Sequence, residues 1–382
     1  MKHLRVAQIV GARPQFIKLA PVSRALKAHA ERGVEELIVH TGQHYDPQLS
    51  EIFFEELSIP RAVVNLEVGS GTHAHQTALM LERIEAFLES ERPSVVVVYG
   101  DTNSTLAGSL AAAKLQIPVA HVEAGLRSFN RAMPEELNRV ATDHLADLLL
   151  APTQTAVENL AREGRAACTR LVGDVMYDAL LAHMSAARQH SRILERLQLG
   201  SKPFALATVH RAESTTPHVL ERMLALLDEV ARRELPIVFP VHPRTREAIR
   251  AYLPDWRADP SLRLIEPLGP MDMLRLTQAA AVVLTDSGGL QKEAFMLGAP
   301  CVTLRSETEW LETVAAGANT VVGQDVAAAL HAVQLALEQS ADVRAAAASK
   351  AGELYGGGSA AVRCVEETLA LAGRGVLAGG AR

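Results

Sequence analysis

The stretch Val95-Val96-Val97-Val98-Tyr99-Gly100-Asp101-Thr102 runs from four valines and a tyrosine into a glycine, an acid and a hydroxyl residue. Four β-branched side chains in succession leave no polar face, so the run reads as a strand buried on both sides of its sheet. Residues 105–115 then show a helical pattern. Asp101 therefore falls at the carboxyl rim of a central strand, where open parallel sheets hold their ligands. The same aspartate also suits the N-cap of the helix behind it.

Outward from this unit the pattern repeats. Short apolar runs at 4–10, 36–40, 118–122 and 147–151 read as strands, and 16–30, 75–91 and 135–144 as helices. The alternation restarts with strands at 204–208, 237–241, 262–265, 281–284, 301–304 and 320–322. Such alternation implies parallel sheets covered on both faces, and 382 residues exceed the size at which one core keeps growing. An α/β protein of two Rossmann-like parallel-sheet domains is expected, 1–172 and 173–356, joined near Gly173-Asp174-Val175-Met176-Tyr177-Asp178. Residues 178–200 read as one long polar helix entering the second domain. Gly356-Gly357-Gly358 breaks the pattern before a last amphipathic helix at 360–371, and fold analogy returns the tail, about 357–382, to the first domain.

Apolar residues make up 48% and charged residues 21%, the balance of a folded soluble protein. With 38 basic against 44 acidic residues the net charge is −6, which argues against nucleic acid as a partner. An anionic ligand must then be held by local cations and backbone N–H groups. Cys168, Cys301 and Cys364 are widely spaced and fit buried thiols in a reducing compartment better than disulfides or a zinc site. The opening MKHLRVAQIVGARP is broken by Arg5 and Gln8 and is too short for a signal-peptide core. No run approaches the ~20 apolar residues of a membrane span. A cytoplasmic protein with no membrane partner is expected.

Polar residues that follow strands are the ones to weigh. Gly11-Ala12-Arg13-Pro14-Gln15 opens a helix, so Arg13 and Lys18 project near a helix N-terminus, a natural place for phosphate; a solvated surface pair is the alternative. Glu123 follows another strand, ahead of small residues and Arg127, and Glu135-Glu136 opens a helix where acids also merely complement its dipole. Asp101, Glu123 and Glu135 on one domain face form a candidate acid–base cluster. His210 and His242 each follow a strand in the second half. Ser287-Gly288-Gly289 links a strand to a helix, so successive N–H groups and a hydroxyl meet a phosphate, with Glu293 in reach of a ribose diol. Gly69-Ser70-Gly71-Thr72-His73-Ala74 formally matches a dinucleotide fingerprint, but it follows no buried strand and reads as a loop before a helix. His73 and His75 lack metal-ligand spacing, and no metal site is expected.

Taken together, these motifs resemble the bacterial non-hydrolysing UDP-N-acetylglucosamine 2-epimerase family. GARPQFIKLAP (11–21), TGQHYD (41–46), YGDTNST (99–105), HVEAGLRS (121–128), MPEELNR (133–139), ATVHRAE (207–213), FPVHPR (239–244), LTDSGGLQKEA (284–294) and RSETEW (305–310) occur in the family's order. The resemblance implies a glycosyltransferase-B-like fold with an interdomain cleft, a UDP-sugar substrate, no cofactor and commonly a homodimer. It gives Asp101, Glu123, Glu135 and His210 catalytic roles. Arg13, Lys18, His242, Ser287, Gly288, Gly289 and Glu293 would bind substrate or UDP. Trp310 stands where many members have an arginine, and Arg305 is the remaining local charge. Gln43 and His44 match the part of a second, activating substrate site, but no arginine is seen in 69–76 to complete it. These features also resemble a subgroup acting on UDP-2,3-diacetamido-2,3-dideoxy-glucuronic acid.

Carbon 2 of such a sugar is not next to a carbonyl, so its proton is weakly acidic. Inversion therefore requires either oxidation or loss of a neighbouring leaving group. A furnished phosphate site without a sound dinucleotide motif favours loss and return of UDP through a glycal. A nucleotide-sugar glycosyltransferase, a hydrolysing epimerase and a non-catalytic sensor are the competing readings. A glycosyltransferase would need an acceptor site, and the glutamate pair of many retaining members is missing, since the next acid after Glu293 is Glu307.

Overall fold

The computed structural model describes residues 3–43, 54, 57–200 and 202–378. The chain divides into two compact units, Met1–Ala179 with Leu354–Arg382, and Leu180–Glu353. In the first unit β1 (Leu4–Val10), β2 (Val34–His40), β3 (Val64–Asn65), β4 (Val95–Tyr99), β5 (Val119–Val122), β6 (Leu148–Ala151) and β7 (Thr169–Leu171) form a parallel sheet in the order β3-β2-β1-β4-β5-β6-β7. The valine run is its central strand β4, paired to β1 through Gln8–Val97 and to β5 through Val97–Ala120. Its side chains alternate as a pleat requires. Val95, Val97 and Tyr99 join Phe16, Leu19, Cys364 and Val365 on one face. Val96 and Val98 join Met80, Ile84, Leu88 and Ala107 on the other. Helices cover both faces, which is why the strand carries no polar face.

Gln8, the polar break in the first strand, is fully buried and satisfied. It accepts from the Tyr99 hydroxyl and donates to Glu36, whose carboxyl burial pushes up while Ser23 and Gln8 pull it down. The helix Ala360–Ala378 packs against the helix Arg13–Lys27 within the same unit. Asp178 caps it, accepting from the amides of Ala360 (3.3 Å) and Ala361 (2.8 Å). Asp174 donates its amide to Tyr355 at 3.0 Å. These bonds tie residues 174 and 178, read from sequence as part of the junction, into the first unit.

In the second unit β8 (Ala205–Thr208), β9 (Ile237–Pro240), β10 (Leu262–Ile265), β11 (Val282–Thr285), β12 (Cys301–Thr303) and β13 (Asn319–Val321) form a parallel sheet in the order β10-β9-β8-β11-β12-β13. Both sheets thus share one Rossmann-like winding. The long helix expected over 178–200 is instead two: Val175–His190 and the short Ile193–Arg196. Ser191 stops the first, because its hydroxyl donates to Asp272 (2.6 Å) and accepts from Ile193 N–H (3.3 Å), replacing helical bonds. Among the described residues no helix is long and apolar enough to cross a membrane.

Candidate functional site

Each sheet reverses its strand order once, between β1 and β4 and between β8 and β11. Connections diverge there to opposite faces and leave a crevice beyond the strand ends. The candidate residues of each unit fall beside its reversal.

In the first unit, Arg13 is the exposed first residue of the helix Arg13–Lys27, and Lys18 lies buried further along it. Gln15 aligns this helix start with the end of β4. Its Oε1 accepts from Gly11 N–H (2.8 Å) and Ala12 N–H (3.1 Å), and its Nε2 donates to Tyr99 O and Thr105 Oγ1, both at 3.0 Å. Lys18 Nζ meets Glu123 Oε1 at 2.5 Å. Gly100 makes room for this pair: it is left-handed, with φ +62°, and a Cβ there would stand 2.9 Å from Lys18 Nζ. Glu123 is itself left-handed at φ +69°, a conformation that costs a non-glycine residue on the order of 1 kcal/mol or more. The strain aims its carboxylate back over the sheet end.

Asp101 does not cap the next helix. Thr102 does, accepting from Thr105 N–H, and the Asp101 carboxylate instead pairs with Arg139. Arg139 also donates to Glu136 at 2.8 Å. Burial works against its charge, yet Asp101, Glu136 and Glu123 raise its pKa above the ordinary arginine value. Of the adjacent acids that open the helix Pro134–Leu145, Glu136 is buried and Glu135 exposed. Burial pushes the Glu136 carboxyl up, but the amides of Ser128 and Phe129 and the Arg139 charge hold it below the usual glutamate range. No ion pair or hydrogen bond joins Glu135 to another side chain among the described residues. The structure therefore links Lys18–Glu123 and Asp101–Arg139–Glu136 and leaves Glu135 on the rim. Gln43 is engaged with the helix Asn103–Lys114, accepting from Ser104 Oγ at 2.7 Å; His44 lies outside the described residues.

In the second unit, Asp286 follows β11 and is fully buried. Its Oδ2 accepts from the amides of His210 and Arg211, both at 2.9 Å, and its Oδ1 lies 3.5 Å from His210 Nδ1. That brace fixes His210, half-exposed, with its ring centroid 5.5 Å from that of His242. His242 caps the helix Pro243–Tyr252, its Nδ1 accepting from Arg244 N–H at 3.2 Å. Ser287 caps the helix Gly288–Met296 by accepting from Leu290 N–H, which leaves its O–H to donate. The amides of Gly288 and Gly289 have no partner within that helix, as first-turn amides do not. Glu293 is half-buried further along it.

Glu309 faces the start of this helix, its Oε1 only 2.1 Å from where a Gly288 Cβ would be. Arg305 (2.9 Å) and Arg211 (3.4 Å) hold it, and against the upward push of burial they keep its carboxyl below the ordinary glutamate value. Two guanidiniums and a helix N-terminus thus converge on one anionic position. Trp310 is buried, its indole N–H without a partner among the described residues, with Lys292 Nζ 4.2 Å from the ring centroid. Among the described residues no group of three or more His, Cys, Asp or Glu is placed to hold a metal.

The family model for UDP-N-acetylglucosamine 2-epimerase matches residues 25–368. The chain belongs to that family. A UDP-N-acetylglucosamine 2-epimerase homolog of Methanococcus maripaludis is 50% identical over 325 residues, 84% of this chain and 89% of that protein. The UDP-2,3-diacetamido-2,3-dideoxy-D-glucuronate 2-epimerase of Pseudomonas aeruginosa is 46% identical over 367 residues, 95% and 99% of the two chains. The crystal structure of the Methanocaldococcus jannaschii UDP-GlcNAc 2-epimerase in complex with UDP-GlcNAc and UDP superposes with a TM-score of 0.84 at 39% identity, covering 95% of this chain and 99% of that one. Within the epimerase motifs, sequence reasoning gave Gln15, Arg139, Asp286 and Glu309 no role and weighed Glu136 only as an acid that opens a helix. The i, i+3 spacing of Glu136 and Arg139 was the one signal available for any of them.

Proposed function

We propose that this chain interconverts UDP-N-acetylglucosamine and UDP-N-acetylmannosamine by removing the proton at carbon 2 as UDP leaves carbon 1, then returning both with the proton on the opposite face. The observation that carries the reading is the pair of strand-end carboxylates, Glu123 and Asp101, each held by a cation, Lys18 or Arg139. Two carboxylates, each in contact with its own cation, provide distinct proton-moving groups at adjacent loops. Glu135 and Arg13 are proposed to join these groups. Ser287, Gly288 and Gly289 are proposed to meet the leaving diphosphate, with His210, Arg211 and Arg305 to balance its charge. Such a route needs no hydride acceptor. A homodimer in the cytoplasm acting on free nucleotide sugar is the setting proposed.

A second reading keeps the reaction and changes the sugar to UDP-2,3-diacetamido-2,3-dideoxy-glucuronate. The relative named for that activity, 46% identical along nearly the whole chain, supports it. Proton NMR of each UDP-sugar with the protein in deuterated water tests both. The expected result is inversion at carbon 2 with deuterium incorporated there; product that keeps its original hydrogen would rule the mechanism out.

A further inference from the structure

Beneath the strand-end carboxylates of the first unit lies His121 on β5, with no exposed surface. Its Nδ1 is 2.7 Å from Asp143 Oδ1 and its Nε2 is 2.7 Å from the carbonyl oxygen of Gly100. A carboxylate oxygen and a carbonyl oxygen only accept, whereas a neutral imidazole carries one N–H and one bare nitrogen. We propose that His121 is a buried imidazolium that acts as a positioning residue, clamping the Gly100–Asp101 turn so that Asp101 is held at its working position.

The alternative home for the proton is Asp143, and its surroundings argue against it. Asp143 Oδ2 accepts from Arg127 (2.7 Å) and from Gly125 N–H (3.1 Å). Burial pushes this carboxyl up, but His121 and Arg127 outweigh burial and hold it below the usual aspartate range. Arg127 also grips Glu163 at 2.8 and 2.7 Å, with His144 3.5 Å from the same carboxylate. The buried cations His121 and Arg127 are thus matched by Asp143 and Glu163, which is how charge persists in a low-dielectric interior.

The Gly100 carbonyl is one of four backbone groups that define this turn. Tyr99 O accepts from Gln15 and Thr105, Gly100 N–H donates to Val122 O at 3.0 Å, and Asp101 O accepts from Asn138 at 3.0 Å. His121 supplies the remaining bond, at the left-handed residue between them. A neutral ring would have to release either Gly100 or Asp143. One charged ring also couples the two catalytic loops, since it grips the β4 turn while standing two residues before Glu123.

The inference rests on the function proposed above, and its first test does not depend on activity. Neutron diffraction from deuterium-exchanged wild-type crystals at neutral pH is expected to show deuterons on both ring nitrogens of His121; a bare nitrogen would overturn the proposal. The second test is kinetic. His121→Gln is expected to lower kcat about 100-fold, the scale of a roughly 1 Å misplacement of a catalytic group, with little change in KM. Asp143→Asn, which removes the carboxylate that demands a cation, is expected to do the same should the first variant not fold. Unchanged kcat in a folded variant would overturn the positioning role. Wild-type protein that inverts no UDP-sugar would instead sink the function proposed and leave the neutron result standing.

Discussion

Lys18 and Glu123 form an ion pair 2.5 Å long in which the side chains keep only 10% and 8% of their exposure. Both charges are largely out of water, so removing either one leaves the other less compensated. Lys18→Met is expected to remove the ammonium in contact with the buried Glu123 carboxylate and to destabilise the fold by about 3 kcal/mol, the scale for breaking a buried pair. Lys18→Met with Glu123→Gln is expected to recover most of that loss. Denaturant unfolding of the two single variants and the double variant reads the coupling directly; additive losses would show that the pair does not interact in the folded state.

Glu135 and Glu136 are neighbours with opposite surroundings, and the expected phenotypes separate accordingly. Glu136 braces Ser128, Phe129 and Arg139, so Glu136→Gln is expected to lower stability. Glu135 is exposed and tied to no other side chain among the described residues, so Glu135→Gln is expected to slow turnover while leaving the melting temperature within a degree or so. Equal losses of stability in both variants would contradict this division.

The Glu136 environment also fixes the sign of a pH effect. Its folded-state pKa lies below the unfolded value, so its contribution to stability is present above that unfolded value, roughly 4.3 for a free glutamate, and is lost as pH falls through the folded pKa. Asp143 and Glu309 shift in the same direction. The stability that these three carboxylates contribute is therefore expected to be lost on acidification below about pH 5, partly offset by Glu36 and Asp178, which shift upward, and the loss is expected to be smaller in Glu136→Gln than in the wild type. Parallel curves for the two proteins would show that Glu136 has no such shift.

Much of this was legible in the sequence, and the part that was not has a physical reason. Valine-rich central strands announce themselves because burial on both faces removes every polar position. The edge strands Val64–Asn65 and Thr169–Leu171 have two and three residues, too few to carry any period. Asp101 stood at a strand end that suits a cap or a catalyst alike, and only the folded chain shows Thr102 taking the cap and Arg139 taking the acid. Ser191 ended a helix through Asp272, a partner 81 residues away that no local pattern predicts. Local order shows in the sequence, whereas ion pairs chosen by the winding of the sheet do not.

Trp310 stands where the resemblance implies an arginine in many family members, and the structure places it in the interior beside Lys292. Trp310→Arg is expected to bring a second cation against a buried ammonium and to cost about 2 kcal/mol or more of stability. Trp310→Phe keeps an aromatic ring over Lys292 and removes an indole N–H that has no partner among the described residues, so it is expected to cost less than Trp310→Arg. Thermal melts of both variants provide the check; a stable Trp310→Arg protein would place this side chain outside the core.

The last prediction separates proton transfer from UDP binding. Glu123→Gln and Asp101→Asn alter groups that move protons, and each is expected to lower kcat by roughly two to four orders of magnitude, the usual scale for a general acid or base. The affinity for UDP is expected to change much less, because the diphosphate groups proposed to meet Ser287, Gly288 and Gly289 are untouched. Ser287→Ala reverses the bias. It removes the hydroxyl that caps the helix Gly288–Met296, which loosens that helix start by about 1 kcal/mol and deletes one phosphate donor. UDP binding measured by calorimetry should weaken while Glu123 and Asp101 keep their partners. Gly288→Ala should weaken it further, since the new methyl group would stand 2.1 Å from Glu309 Oε1 and displace the carboxylate that Arg305 and Arg211 now hold. Carboxylate variants that lost UDP affinity as severely as Ser287→Ala, or a Ser287→Ala protein that bound UDP normally, would show that binding and proton transfer are not divided between these residues in this way.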